Sequence, residues 1–106
     1  MIVEFKNEDL RRIYESGKET GKPRYGQEII KSFIRKIDVL AAVPNSSELP
    51  MFKSLHFEAL IKEQKYKGMH SIRVNEKYRI ILKIVKQKNR AEIIEISEIY
   101  ELTDYH

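Results

Sequence analysis

The chain has 106 residues, of which 42% are hydrophobic and 34% charged. This composition suits one soluble domain with a modest core and argues against a disordered or membrane-embedded chain. Because there is no cysteine, disulfides, thiolate catalysis and cysteine-based zinc sites are excluded. The formal net charge of +4 is distributed unevenly along the chain.

One part of the chain is strongly basic. Between Lys53 and Arg90 there are eleven Lys and Arg residues against three Glu, a net charge of +8, whereas residues 91–106 carry five acidic residues and no Lys or Arg. Such a segment is typical of a site for a polyanion, although a solvated lysine-rich surface gives the same count. No apolar run approaches the roughly 20 residues of a membrane span, and no signal peptide precedes the first acidic residues. We therefore expect a cytoplasmic protein with no membrane partner.

The first elements in the chain are predicted to be a short strand and a helix. Residues 1–5 alternate in polarity, which fits a strand or a lead into the helix. Asn7 or Asp9 can cap a helix whose apolar stripe is formed by Leu10, Ile13 and Tyr14. Gly17 is suited to end it.

A second, longer helix is predicted from Pro23 or Arg24 to Ala42, ended by Pro44. Its apolar residues follow a 3.6-residue period and form one stripe, which we assign to the core. They are Ile29, Ile30, Phe33, Ile34, Ile37, Leu40 and Ala41.

The second half of the chain is predicted to form strands. Alternating residues indicate strands at 55–59, 70–74, 78–84 and 91–99, with a basic loop at 61–68 and a tail from Tyr100. In the last strand, whose period is imperfect, Ile94, Ile96 and the segment 91–93 are expected inward, and Glu92, Glu95 and Glu98 mostly outward. The prediction is a single α+β domain spanning residues 1–106. Two N-terminal helices cover one face of a mainly antiparallel sheet of three to five strands, and the other face stays open.

The register of one hairpin decides whether two arginines are neighbours. If Ile72 and Val74 face the core, a loop with an odd number of residues pairs Arg73 with Arg79. A two-residue turn at 75–76 would mix apolar and charged residues on both faces, so the odd loop is preferred.

Two arginines placed directly opposite repel each other unless something anionic lies between them. Planar guanidinium groups suit a phosphate. Alternatively, each arginine pairs with a carboxylate of the last strand, for which Glu95 or Glu98 could serve. The pattern alone favours neither interpretation.

Several other polar residues are expected near this face, including His56, Ser71 and the lysines of the basic loop. The tail at 104–106 can reach it by folding back. Cleavage of RNA by its own 2′-hydroxyl needs a base, cations for the phosphate and an acid for the leaving 5′-oxygen. His, Tyr, Lys and Arg supply all three without a metal, and the three histidines are too scattered in the sequence for a metal-site spacing. We predict no metal and no cofactor.

The run SIRVNEKYRIILKI, followed by an acidic strand and a terminal DYH, resembles the RelE/ParE toxin superfamily, most closely HigB-type toxins. The preceding Leu55-His56 and the opening strand and two helices match as well. The most specific parts are residues 71–75, 78–80 and 104–106.

The resemblance implies a toxin of a type II toxin–antitoxin system that cuts mRNA on the ribosome through metal-independent attack by the 2′-hydroxyl. It implies acid and base roles for His56 and His106, stacking or proton handling for Tyr105, and a phosphate clamp of Arg79 and Arg73. A Leu-Lys-Gly motif of the family is absent, so Lys62, Lys65 or Lys67 could take the place of its lysine. We assign Lys62 to catalysis and, as RNA contacts, Lys65, Lys67, Lys77 and Lys83.

The implied partners are a cognate antitoxin of the helix-turn-helix, HigA-like kind, the ribosome and mRNA. Operator DNA would be bound only through the antitoxin complex. Two alternatives remain: a ParE-like inhibitor of DNA gyrase without nuclease activity, and a non-catalytic nucleic-acid-binding or degenerate toxin. A gyrase inhibitor has no need for the terminal tyrosine and histidine, and a degenerate toxin causes no growth arrest.

Overall fold

Two helices cover one face of a five-stranded sheet in the computed structural model, which describes residues 1–104. The strands lie in the order β1-β5-β4-β3-β2. All neighbours are antiparallel except β1 and β5, which are parallel. The α+β prediction is therefore confirmed. The elements are β1 (Ile2–Phe5), α1 (Glu8–Ser16), α2 (Gln27–Ala42), β2 (Glu58–Ala59), β3 (His70–Arg73), β4 (Tyr78–Asn89) and β5 (Glu92–Asp104).

Helix α1 begins and ends where the sequence predicts. The side-chain oxygen of Asn7 accepts a hydrogen bond from the Leu10 backbone N–H at 3.2 Å, which satisfies one of the free amides of the first turn. At the other end Gly17 adopts a left-handed conformation (φ 74°), and its N–H donates to the Ile13 carbonyl at 2.8 Å.

Helix α2 begins at Gln27, later than predicted, and ends at Ala42 as predicted. The delay has a physical cause in the preceding loop. The carboxylate of Glu19 accepts the backbone N–H groups of Arg24, Tyr25 and Gly26 at 2.8, 3.1 and 3.1 Å, which holds these residues outside the helix. Neither helix, nor any other within residues 1–104, is long and apolar enough to cross a membrane.

The main core lies between the helices and the sheet. Ile30, Phe33, Ile37 and Leu40 of α2 pack with Leu10 and Ile13 of α1 against the sheet residues Ile72, Ile80, Leu82, Ile99 and Leu102. Two hydrogen bonds tie the helical layer to strand ends. The Ser32 hydroxyl donates to the Val74 carbonyl at 2.7 Å, and the Tyr25 hydroxyl donates to the Leu102 carbonyl at 3.2 Å.

Val74 lies opposite Tyr78, and the three residues between them, 75–77, form the turn of the β3–β4 hairpin, so the predicted odd loop is confirmed. The Val74 N–H donates to the Tyr78 carbonyl at 3.0 Å. The Asn75 side-chain oxygen accepts from the N–H groups of Lys77 and Tyr78 at 2.9 and 2.7 Å, which closes the turn locally. As a result, Arg73 lies opposite Arg79.

Strand β5 runs through Asp104, so the predicted tail from Tyr100 is wrong up to that residue. The register shifts between Ile81, which pairs with Glu101, and Leu82, which pairs with Ile99. Tyr100 is thus an extra residue, a β-bulge, and alternation before it does not carry over to residues after it.

The inward and outward assignments are also partly wrong in the part of β5 before the bulge. Ile93 is 69% exposed. Glu95 is half-buried and accepts two hydrogen bonds from Ser46, from its N–H at 2.9 Å and its hydroxyl at 2.5 Å. The alternation alone could not place Glu95, because its burial depends on Ser46 in the loop after α2.

The predicted strand at 55–59 is wrong in its first half. Lys53–Leu55 form a 3-10 turn that buries Leu55 in the main core. His56 follows in a left-handed conformation (φ 47°, ψ 49°), and the strand β2 comprises Glu58–Ala59 alone. Burial of Leu55 and the hydrogen bond from the His56 N–H to the Lys53 carbonyl, 3.2 Å, account for the difference.

The sheet face away from the helices is partly covered, although the sequence predicts it open. Leu60 and Tyr66 pack on Ile81, with Met69 beside them, in a second buried cluster. The Tyr66 hydroxyl also donates to the Glu101 carboxylate at 2.7 Å. The long basic loop therefore crosses from the β2 side of the sheet to β5.

We expect Ser46→Ala to lower the free energy of unfolding by about 1 kcal/mol at pH 7. The hydrogen bond from the Ser46 side chain is the main cause that lowers the pKa of Glu95 below its ordinary value of 4.5. This stabilisation is present above that value and is lost as the pH falls through the lowered native pKa, so the variant and the parent should converge in acid. Urea unfolding from pH 7 to pH 3 measures the difference. Glu95→Gln should remove the pH dependence because it removes the charge, and a Ser46→Ala loss that does not shrink at all as the pH falls from 7 to 3 would contradict the assignment.

Candidate active site

Four polar side chains form one row across the face of the sheet away from the helices. Arg73 on β3 lies opposite Arg79 on β4, and Arg79 lies opposite Thr103 on β5. His56 precedes β2 in a left-handed conformation, and its Nε2 lies 3.3 Å from Arg73 Nη1. Neighbouring strands lie about 4.8 Å apart, so the three strand residues of this arginine row (His56, Arg73, Arg79 and Thr103) span on the order of 10 Å.

Neither arginine of the row has a carboxylate partner among the described residues. No ion pair of residues 1–104 includes Arg73 or Arg79. Arg79 Nη1 donates to the carbonyls of Asn75 and Tyr78 at 2.8 and 3.1 Å. Arg73 Nε is buried without a hydrogen-bond partner.

The two carboxylates that could have neutralised the arginines are engaged elsewhere. Glu95 accepts from Ser46, and Glu98 lies 3.3 Å from the Lys6 ammonium. The interpretation in which Glu95 or Glu98 pairs with the arginines is therefore wrong for this structure.

The cations of β4 differ in what lies opposite them. Lys83 lies opposite Glu98, and Lys86 lies opposite Glu95, so the acidic strand β5 offsets part of the basic segment. Arg79 lies opposite the neutral Thr103 instead. At the arginine row, therefore, two guanidinium groups face each other and neither forms an ion pair within residues 1–104.

His56 contacts the row directly. Its Nε2 lies 3.3 Å from Arg73 Nη1. A guanidinium group can only donate, so this contact is a hydrogen bond when Nε2 is the unprotonated ring nitrogen. The His56 side chain is exposed. In that state the Nε2 lone pair is engaged by Arg73, so His56 can act as a general base only when a substrate hydroxyl displaces this hydrogen bond.

His70 is unlike His56 in its surroundings. Its ring stacks on Phe57, with centroids 4.7 Å apart and planes 1° apart, and its Nδ1 is buried without a partner. Burial lowers the pKa of His70. Ser71, expected near the arginines, lies on the same face as the row but is fully buried.

The structure separates the five predicted lysines into two groups. Lys62, Lys65 and Lys67 lie exposed on the loop that Tyr66 anchors, and the Lys65 ammonium is 5.2 Å from the centre of the Tyr66 ring. The second group belongs to the hairpin: Lys77 forms a 3.6 Å ion pair with Asp104, and Lys83 lies opposite Glu98.

Two predicted site residues, Tyr105 and His106, lie outside the described residues. They follow Asp104, whose partner across the sheet is Tyr78. Within residues 1–104 no group of three or more His, Asp and Glu side chains is arranged to hold a metal ion.

Sequence reasoning missed Thr103 and Tyr66. Thr103 reaches the arginine row only because the bulge at Tyr100 changes the alternation, and nothing in the local pattern reveals that bulge. Tyr66 had a visible signal, since it is an aromatic residue among lysines in a loop too long for the related motif. An aromatic residue in such a loop is an anchor candidate because it has apolar area to bury.

The family model for the RelE-like toxin of the type II toxin–antitoxin system HigB matches residues 3–106. The chain belongs to this family. Toxin HigB-1 of Vibrio cholerae serotype O1 is 35% identical over 85 residues, which cover 80% of this chain and 85% of that protein. The YoeB/ParE toxin from Agrobacterium tumefaciens superposes with a TM-score of 0.55 over the whole of both chains. At 12% identity, that likeness shows the shared fold.

A first prediction for this HigB-family toxin concerns the charge of Arg79. Arg79→Gln should change the free energy of unfolding by no more than about 0.5 kcal/mol, because the loss of two bonds to carbonyls is offset by relief of repulsion from Arg73. Binding to a single-stranded RNA oligonucleotide should weaken, and the slope of log K against log salt should fall by about 0.7. Fluorescence anisotropy across a salt series measures both. Arg12→Gln on α1 is the matched control, and an equal loss there would refute a localised phosphate site.

A second prediction concerns the anchor of the basic loop. Tyr66→Phe should lower the free energy of unfolding by about 1–2 kcal/mol, because it leaves the half-buried Glu101 carboxylate without its donor. Tyr100→Phe is the matched control, since its hydroxyl donates to Glu98 at a longer 3.3 Å, and its cost should stay below about 0.5 kcal/mol. Chemical denaturation of both variants compares them, and equal costs would show that the anchor contributes nothing specific.

Proposed function

We propose that this toxin is an endoribonuclease that cuts mRNA on the ribosome by attack of the RNA's own 2′-hydroxyl. The observation that carries the proposal is the arginine row, in which an exposed histidine contacts the first of two arginines, neither of which has a carboxylate partner within residues 1–104. Family membership supports the proposal, because it makes the chain a toxin of a type II toxin–antitoxin system.

The chemistry needs each part of the row. His56 removes the proton of the 2′-hydroxyl, and the 2′-oxygen attacks the phosphorus. The bond from phosphorus to the 5′-oxygen breaks, which leaves a 2′,3′-cyclic phosphate and a 5′-hydroxyl. Arg73 and Arg79 offset the charge that gathers on the phosphate oxygens in the transition state. Thr103 lies beside Arg79 and is available as a neutral hydrogen-bond donor.

The leaving 5′-oxygen needs a proton, and we propose His106 as its donor, with Tyr105 stacking or assisting. These roles rest on the resemblance of the terminal DYH to the family. They complete a metal-independent mechanism in which no group other than side chains takes part.

The lysines are proposed to hold the RNA backbone. The loop residue Tyr66 packs on Ile81 and bonds Glu101, and these positions lie one row along the sheet from Arg79 and Thr103. Lys65 and Lys67 flank Tyr66 in the sequence, so their backbone positions are fixed near the proposed phosphate site. Lys62 remains our candidate for the catalytic lysine, and Lys77 and Lys83 are candidates for more distant phosphates.

The partners we propose are the ribosome with its mRNA and a cognate antitoxin of the HigA-like, helix-turn-helix kind. The antitoxin complex, rather than the toxin alone, would bind operator DNA. These partners place the protein in the cytoplasm.

Expression in bacteria without an antitoxin, followed by mapping of mRNA 5′ ends, tests the proposal. We expect cuts inside codons of translated messages that disappear when residues 105–106 are deleted. His56→Ala should reduce cleavage by about 10²–10⁴-fold, the usual contribution of a general base. Arg12→Gln serves as the control with unchanged cleavage.

Two other outcomes would overturn it. Intact mRNA together with broken or supercoiling-defective DNA would identify a gyrase inhibitor. Normal growth with intact mRNA and DNA would identify a non-catalytic or degenerate toxin.

A further inference from the structure

An aromatic side chain lies exposed beside the candidate base. Two 3-10 turns, Ser46–Met51 and Lys53–Leu55, follow α2 and are separated by Phe52. Leu49 and Leu55, three residues to either side of Phe52, are fully buried in the main core. Residues three apart share a face in such turns, yet Phe52 is 43% exposed.

Hydrogen bonds on both sides of Phe52 fix the backbone that holds its side chain in this exposed position. Its N–H donates to the Leu49 carbonyl at 3.1 Å, and its own carbonyl accepts from the Leu55 N–H at 2.9 Å. The backbone on both sides is therefore fixed by bonded turns whose leucines are anchored. Because the backbone already holds this apolar side chain in an exposed position, binding of a ligand to it costs little conformational entropy.

Phe52 and His56 line the same shallow cavity. Its volume is about 360 Å³, and it is lined by Pro50, Phe52, Lys53, His56 and Phe57. The cavity thus joins an apolar wall to two basic side chains. Through His56 it is continuous with Arg73, since the two side chains lie 3.3 Å apart.

We propose that this cavity binds the nucleobase next to the phosphate that is cut, with the base stacked on the Phe52 ring. The inference rests on the proposed function and adds a specificity-determining residue to it. Every base has a π-face, so an exposed aromatic ring beside a phosphate site is a general platform for single-stranded nucleic acid. Lys53 would contact the phosphate on the far side of that base.

The charges around the cavity favour RNA over a protein as its occupant. The polar members of its lining, Lys53 and His56, carry no negative charge, and the neighbouring Arg73 has no carboxylate partner within residues 1–104. A nucleotide supplies a phosphate anion for these basic side chains and a flat base that can stack on the Phe52 ring.

The test is single-turnover cleavage of mRNA on purified ribosomes by four full-length proteins. Phe52→Leu keeps apolar bulk but has no π-face, whereas Phe52→Trp keeps the π-face. Met51→Ala removes a neighbouring side chain that is 74% exposed and outside the cavity lining. The parent protein is the fourth.

We expect Phe52→Leu to raise the toxin concentration for half-maximal rate about tenfold and to leave the maximal rate within about threefold. Phe52→Trp should stay within about twofold of the parent, and Met51→Ala should be indistinguishable from it. Phe52→Leu should also weaken the base preference next to the mapped cuts. Equal behaviour of the leucine and tryptophan variants would overturn the stacking assignment.

Failure of this inference is distinguishable from failure of the proposed function. If the parent does not cut mRNA, the proposed function is wrong. If the parent cuts and Phe52→Leu cuts equally well with the same base preference, only the nucleobase site is wrong. Unchanged cleavage with weaker neutralisation by the antitoxin would assign Phe52 to a protein interface instead.

Discussion

The register of the β3–β4 hairpin is the constraint on which the site depends. The three-residue turn, closed by the Asn75 side chain and by the Val74–Tyr78 bond, fixes which residues are opposed. A shift of one residue would send one strand's apolar residues to the opposite face. The burial of Ile72 and Ile80 therefore forces Arg73 and Arg79 together. Core packing fixes this pair of arginines side by side, although their guanidinium groups repel each other. In this way a folded protein can maintain two adjacent cations, an arrangement suited to an anion.

The bulge at Tyr100 makes the same strand serve two purposes. Before it, Ile99 faces the helices, and after it, Leu102 does so too, although their spacing of three is wrong for a regular strand. The extra residue puts Glu101 and Thr103 on the other face, where one holds the basic loop through Tyr66 and the other completes the arginine row. Bulges often re-aim side chains near active sites, and this one determines which β5 residues reach Arg79.

Regular patterns made most of the fold predictable. The apolar stripe of α2 and the alternation around Arg73 reflect burial directly, and the cap at Asn7 marks the start of a helix. The helices and the arginine pair could therefore be predicted from the sequence. His56 was predicted on a strand, because a 3-10 turn that buries Leu55 looks like alternation over so few residues, and the structure instead places it in a left-handed conformation beside Arg73. Thr103 could not be predicted, since it depends on a bulge without a local signature.

The basic loop at 61–68 shows how a loop longer than a short family motif can be held in place. A short motif can fix a lysine through the geometry of a tight turn, whereas a longer loop loses that constraint and gains conformational entropy. Here Leu60 and Tyr66 bury their side chains on Ile81, and the Tyr66 hydroxyl bonds Glu101 at 2.7 Å. The loop is therefore held at its middle rather than only at its ends. Burial of one aromatic ring thus restricts the conformation of the longer loop, one row along the sheet from Arg79.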